Sequence, residues 1–341
     1  MQDMQEMQTA QTNRKRVFSG IQPTGMIHIG NYAGAIKNWV ASQDQQDNIF
    51  CLVNLHAHTV RQDPDELRAK TREVAGILLA AGIDPDKSAL FAQSDVAAHC
   101  ELAWLLNCVA SMGQLERMTQ YKEKSQKLKE QSSVGLFTYP LLMAADILLY
   151  QTDRVPVGAD QKQHVELTRD LAQRFNSTFG ETFVMPEPVI PPLGARIMGL
   201  DDPLKKMSKS STSFGHAIGV LDPPEVITKK IKSAKTDSGS EIRFDEGRPG
   251  LLNLLTIYQV LSGLGREAIE QQFDGKGYGH LKLALADMLI EVLRPLQSRY
   301  QELARDPHRI DSVLKKGAER VTPIAQKTMA LVKERMGLSL A

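Results

Sequence analysis

Short apolar runs alternate with longer helix-patterned stretches from Arg14 to about Arg196, and few architectures accept that order. Val17–Phe18–Ser19, Ile49–Val53, Ala89–Gln93, Val155–Val157 and Ala195–Met198 read as strands. The clearest helix between them runs from Asp63 to Ala81. Asp63 caps it, Pro64 suits its first position, Glu66 completes a capping box and Gly82 ends it. Such alternation predicts an α/β fold with a parallel sheet covered by helices on both faces. After about Gly215 the strand runs stop. Asp222–Pro223–Pro224 opens a helix reaching Lys235, and helical patterns follow at Leu251–Leu261, His280–Arg305 and Pro307–Met336. This half reads as a smaller all-helical C-terminal domain. Its last helix either belongs to that domain or folds back onto the first.

Composition narrows the partners. At 341 residues, 42% apolar and 24% charged, the chain has material for one large domain or two ordinary ones. Lys and Arg number 41 against 40 Asp and Glu, so a nucleic acid would have to meet a local basic patch. Cys51, Cys100 and Cys108 lack C-x-x-C spacing and read as reduced core residues of a cytoplasmic protein. The longest apolar stretch, Leu141 to Tyr150, contains an Asp and is too short for a bilayer, so no membrane partner is expected. Residues 1–13, rich in Met and Gln without an apolar signal core, read as a disordered extension or as sequence ahead of the domain start.

The motifs share an address just after predicted strands, where parallel sheets bind ligands. Gln22–Pro23–Thr24–Gly25 and His28–Ile29–Gly30–Asn31 form a glycine-containing turn into a helix, which offers backbone N–H groups to phosphates. The same turn serves equally as a plain tight entry into a helix. Lys206–Met207–Ser208–Lys209–Ser210 puts two lysines among small hydroxyl residues, either a clamp for a polyphosphate or a solvated basic loop. Asp146 is the one charge in Leu141–Tyr150, and a buried carboxylate needs a partner, generically an internal Arg or a backbone N–H.

Taken together, H-I-G-N at His28–Asn31 and K-M-S-K-S at Lys206–Ser210 resemble the two signatures of class I aminoacyl-tRNA synthetases. Phe18–Gly25, Leu115–Gln120, Tyr139–Asp146, Asp160–His164 and Gly194–Met198 resemble the bacterial tryptophanyl branch of that class. The resemblance implies a Rossmann-like nucleotide-binding domain and a ligase that activates L-tryptophan with ATP before transfer to the terminal adenosine of tRNA(Trp). It implies ATP contacts at Gln22, Pro23, Thr24, Gly30, Asn31, Gly158, Ala159, Asp160 and Ile197. It further implies that His28 lies near the phosphates, that Lys206, Met207, Ser208, Lys209 and Ser210 contact ATP, and that Lys206 and Lys209 act on the leaving pyrophosphate. Lys124 is a triphosphate contact or a solvated lysine. Asp146 is matched to the acid that accepts the indole N–H, with Phe18, His56 and Met143 as pocket walls and Gln161 at the substrate's polar end.

ATP enters with Mg²⁺ on its phosphates, with no dedicated metal ligands in the protein and no permanent prosthetic group. Three positions depart from the branch's common residues: Asn54, Ala159 and Ser211. The expected domains are 14–205 catalytic, with about 105–145 as dimer or connecting helices, 206–215 a mobile lysine loop, 216–305 the anticodon-binding helices and 306–341 the C-terminal helix. The basic cluster Lys229, Lys230, Lys232 and Lys235 is either a tRNA contact or a solvated face. A homodimer is expected. The open alternatives are a tyrosyl enzyme of the same class, a small-molecule nucleotidyltransferase, and a non-enzymatic synthetase-like binder, which would be expected to have lost a signature lysine or glycine that this chain keeps.

Overall fold

The computed structural model describes residues 14–122, 132–190, 196–208 and 213–340. Its sheet holds β1 (Arg16–Ile21), β2 (Asp47–Leu52), β3 (Ala89–Ala92), β4 (Arg154–Pro156) and β5 (Glu187–Val189) in the order β3-β2-β1-β4-β5. Every pairing is parallel, with Phe18 opposite Ile49, Cys51 opposite Phe91, Val17 opposite Arg154 and Val155 opposite Pro188. Alternate residues serve opposite faces. Ile49, Cys51 and Phe91 enter one core with Phe18, while Phe50, Leu52 and Leu90 enter the other.

Helices fill both faces. On the Phe50 side lies α2 (Pro64–Ala81), which follows the short α1 (Asn54–Ala57) and contributes Val74, Ile77 and Leu78. On the Phe18 side lie α3 (Ala98–Val109), α4 (Val134–Leu148) and α5 (Lys162–Phe179), through Leu102, Leu106, Leu141, Leu148 and Leu171. Each such fully buried side chain contributes about 1.5–3 kcal/mol. The α2 cap is one-sided. Asp63 Oδ1 accepts from the N–H groups of Asp65 and Glu66 at 3.0 and 2.9 Å, and exposed Glu66 makes no return bond, contrary to the expected capping box. Gly82 ends the helix at φ 114°, a left-handed position that favours glycine.

The sheet corrects two expectations. Its fifth strand is Glu187–Val189, whose Glu and Pro hide it from an apolar pattern. Ala195–Met198 is not a strand: Ile197 is buried in the core, Met198 forms a single antiparallel bridge with Lys206, and Ala195 lies outside the described residues. The cysteines also differ from expectation. Cys51 is buried, but Cys100 and Cys108 are exposed on α3, in the same stripe as Trp104 and away from the buried Leu102 and Leu106.

The longer of the later helices are α6 (Pro224–Ser233), α7 (Pro249–Ser262), α8 (Tyr278–Ala304) and α9 (Pro307–Arg335), with a short turn of helix at Arg266–Gln272 between α7 and α8. Ile227, Ile231, Leu254, Leu285 and Leu289 share one continuous core with Ile27, Ile197 and Ile218. The last helix folds back beside β3: Ile310 and Leu314 join the Phe50 side, while Val321, Met329 and Val332 join the Phe18 side. Gly317 permits that crossing, because a Cβ there would overlap the Leu90 carbonyl oxygen. Among the described residues no helix is long and apolar enough to cross a membrane.

Candidate active site

The strand order reverses between β1 and β4, so the loops leaving these two strands diverge and open a crevice at their carboxyl ends. The β1 loop carries Gln22, Pro23 and Thr24, and turns at Gly25 with φ 64°. The β4 loop carries Gly158, Ala159 and Asp160, and a Cβ on Gly158 would sit 2.7 Å from Asp160 Oδ1.

Backbone pairing brings the lysine motif to this crevice. The Met207 N–H donates to the Ile197 carbonyl at 3.0 Å and the Gly199 N–H to the Lys205 carbonyl at 2.8 Å. Lys206 then reaches across the crevice, with Nζ 3.6 Å from Asp160 Oδ1. Burial acts to raise the Asp160 pKa, but the Gln161 hydrogen bond and the Lys206 charge outweigh it and hold the carboxyl below its ordinary value. Gly30 faces Ile197: a Cβ on Gly30 would lie 3.8 Å from Ile197 Cβ and 2.9 Å from His28 Nδ1. Asp201, Asp202, Lys205, Lys206, Ser208 and His216 line a cavity of about 290 Å³. A larger one of about 490 Å³, between α3 and α9, shares no residue with the site. Lys124, Lys209, Ser210 and Ser211 lie outside the described residues, as do residues 1–13.

The amides of the H-I-G-N turn are less available than expected. The His28 N–H donates to Asn31 Oδ1 at 3.2 Å, the Ile29 N–H to the Ile218 carbonyl at 3.0 Å, and the Asn31 N–H to the His28 carbonyl at 2.9 Å. Three donors are thus engaged within the protein.

Asp146 lies on α4 with 1% of its surface exposed. Among the described residues its partners are neither an Arg nor a backbone N–H. Gln93 Nε2 and His99 Nδ1 each lie 2.6 Å from Oδ1, and His56 Nε2 lies 2.8 Å from Oδ2. Burial pushes this carboxyl up, but His56 and His99 more than offset it and keep it below the usual carboxylate range. Beyond His99, Nε2 lies 2.7 Å from the Tyr150 hydroxyl, and the Tyr150 ring stacks on Phe18 at 5.9 Å and 12°. Phe18, His56 and Asp146 therefore belong to one connected cluster. Met143 stands one turn before Asp146 on α4, partly buried. Gln161 bonds Asp160 at 3.2 Å and makes no described contact with Asp146.

Gln93, His99 and Tyr150 escaped the sequence reading, and only the acid's need for a donor pointed toward them. Asn54, one of the three departures noted in the sequence, joins the loops after β2 and β3. Its Nδ2 donates to Ser94 Oγ at 2.8 Å and its Oδ1 accepts from the Ser94 N–H at 3.0 Å. The basic cluster is smaller than it reads. Lys230 is buried, donating to Asp222 at 2.7 Å and the Ala217 carbonyl at 2.8 Å, whereas Lys229, Lys232 and Lys235 are exposed.

Residues 10–294 match the family model of the class I tRNA synthetases (W and Y). The chain belongs to that family. A tryptophan–tRNA ligase of Wolinella succinogenes is 60% identical over 325 residues, 95% of this chain and 99% of the relative. The crystal structure of tryptophanyl-tRNA synthetase from Mycoplasma pneumoniae is similar with a TM-score of 0.88 at 39% identity, covering 95% of this chain and 98% of that one. The Campylobacter jejuni synthetase, complexed with ADP and tryptophan, is similar at 0.82 and 38% identity, covering 95% and 100%. In this family setting, the parallel sheet with its flanking helices is the Rossmann-like fold expected.

Proposed function

We infer that the chain is a tryptophan–tRNA ligase. It activates L-tryptophan with ATP to the adenylate and pyrophosphate, then transfers the aminoacyl group to the 3′-terminal adenosine of tRNA(Trp). Two observations carry this reading: Asp146 is buried and held below the usual carboxylate range by His56 and His99, and a crevice gathers Gly30, Ile197, Asp160 and Lys206. The near full-length likeness to tryptophan ligases favours it over the tyrosyl alternative.

The tryptophan carboxylate is already a nucleophile at neutral pH. It attacks the α-phosphorus of ATP in line, the bond from that phosphorus to the bridging oxygen breaks, and pyrophosphate leaves. No covalent enzyme intermediate is required, so positioning and charge neutralisation do the catalysis. Lys206 and Lys209 neutralise the leaving pyrophosphate, with His28 near the phosphates and Ser208 and Ser210 as hydroxyl contacts. Lys206 exchanges its Asp160 partner for phosphate oxygens as ATP enters. Gly30, beside Ile197, leaves a slot for the adenine. Gln22, Pro23, Thr24 and Asn31 border the nucleotide, and Gly158, Ala159 and Asp160 meet the ribose. Magnesium arrives on the phosphates as part of the substrate. Asp146 accepts the indole N–H between walls of Phe18, His56 and Met143, with Gln161 at the polar end.

In the second step a ribose hydroxyl of the tRNA displaces AMP. The helices of 216–305, with exposed Lys229, Lys232 and Lys235, hold the anticodon stem, and the enzyme works in the cytoplasm. Charging assays test the whole reading. Purified enzyme should attach tryptophan to tRNA(Trp) and leave tRNA(Tyr) uncharged with tyrosine; the reverse preference overturns it.

A further inference from the structure

A carboxylate discriminates a ring N–H only if it is ionised, fixed in place and left with an open acceptor position. An ionised carboxylate is acceptor-only, so each protein neighbour of Asp146 must present a donor. Gln93 and His99 share Oδ1 at 2.6 Å each, while among the described residues Oδ2 receives His56 alone at 2.8 Å. Acceptor capacity is therefore left on Oδ2, on the side of His56, whose side chain keeps 13% of its surface exposed against 0% for that of His99.

Two further contacts determine how Oδ1 is held. Gln93 Oε1 accepts the Leu55 N–H at 3.1 Å, which orients the amide so that Nε2 faces Asp146. His99 Nε2 lies 2.7 Å from the Tyr150 hydroxyl, which is walled by Phe18 and by the edge of Phe91 at 5.9 Å. With the Nδ1–H donated to Asp146, a neutral His99 presents a bare Nε2, and Tyr150 donates its O–H there. In that tautomer donation runs one way, from Tyr150 to His99 to Asp146.

We propose that His99, locked in one tautomer by Tyr150, is a positioning residue that fixes the Asp146 carboxylate and keeps Oδ2 aimed at the substrate's ring N–H. Specificity for an N–H-bearing indole then depends on two residues behind the acid. This inference rests on the reading of Asp146 as the indole acceptor.

The test is kcat/KM in adenylate formation for tryptophan and for its benzothiophene analogue, in which sulfur replaces the N–H. The proteins are wild type, Asp146→Ala, His99→Ala, His99→Asn and Tyr150→Phe. Asparagine can place an amide N–H where Nδ1 stood, but it cannot reach Tyr150. His99→Ala should lower the tryptophan-to-analogue ratio about tenfold or more, through KM for tryptophan, with KM for ATP unchanged. His99→Asn should recover part of that loss, and Tyr150→Phe should show a smaller fall in the same direction. A merely structural role would lower kcat for both substrates alike and leave the ratio intact, which overturns the inference. If Asp146→Ala loses the preference while His99→Ala and Tyr150→Phe keep it, the inference fails and the reading of Asp146 stands. If Asp146→Ala keeps the preference, that underlying reading fails. Should His99→Ala not fold, Tyr150→Phe decides, since it removes one oxygen: an unchanged ratio overturns the proposal.

Discussion

Two opposed effects meet at Asp146: burial favours the neutral acid, and three donors favour the anion. The donors prevail, and the sign of that outcome fixes a pH dependence. A carboxyl held below its ordinary value stabilises the fold fully above the unfolded pKa, about 3.9 for Asp, and loses that contribution as pH falls toward the folded value. Asp146→Asn is therefore expected to lower stability at pH 7 by on the order of 2 kcal/mol and to flatten the decline below about pH 4. Urea midpoints at several pH values check this, and an acid limb identical to wild type contradicts it. Lys206 gives the second prediction at this scale. Lys206→Ala should slow adenylate formation on the order of 10²-fold, lowering kcat and kcat/KM together, while tryptophan affinity from equilibrium binding stays unchanged. Weakened tryptophan binding with intact turnover would remove Lys206 from the leaving-group role. Asp146 itself stood out in the sequence as a lone charge in an apolar run. Of its partners only His56 was named, through the family resemblance; Gln93 and His99 were not, because they lie 53 and 47 residues away and only the folded sheet brings them to it.

Among the elements, those with strong local signals were legible. The α2 helix announced itself through Asp63, Pro64 and Gly82, and the first four strands were found to within a residue or two because their apolar runs end in turn residues. β5 was not, since three residues including a Glu and a Pro carry little pattern and hold their place by pairing with β4. The docking of α9 was equally silent, because an amphipathic helix shows that it has a buried face without naming what covers it. Gly317 is where that docking is most exposed to a test. Gly317→Ala sets a methyl group against the Leu90 backbone and should cost at least about 1–3 kcal/mol, despite alanine's better helix propensity. Chemical denaturation measures it, and a stabilised variant would mean that α9 can move away from β3.

For the whole molecule, a near-neutral charge leaves recognition of an RNA polyanion to local patches, which suits exposed Lys229, Lys232 and Lys235 better than a general field. The homodimer expected from the sequence would bury apolar surface around α3: Trp104 on α3 is 69% exposed, and Met112, just beyond α3, is 64% exposed. Sedimentation should find a homodimer at assay concentration, whereas a fully active monomer would leave that surface without this role. The central claim, that this crevice activates tryptophan, is tested most directly by amino-acid-dependent exchange of labelled pyrophosphate into ATP, run with each of the twenty amino acids. The account predicts rapid exchange with tryptophan and at most trace exchange with tyrosine or any other. Exchange driven equally well by tyrosine, or no exchange with tryptophan, would contradict it.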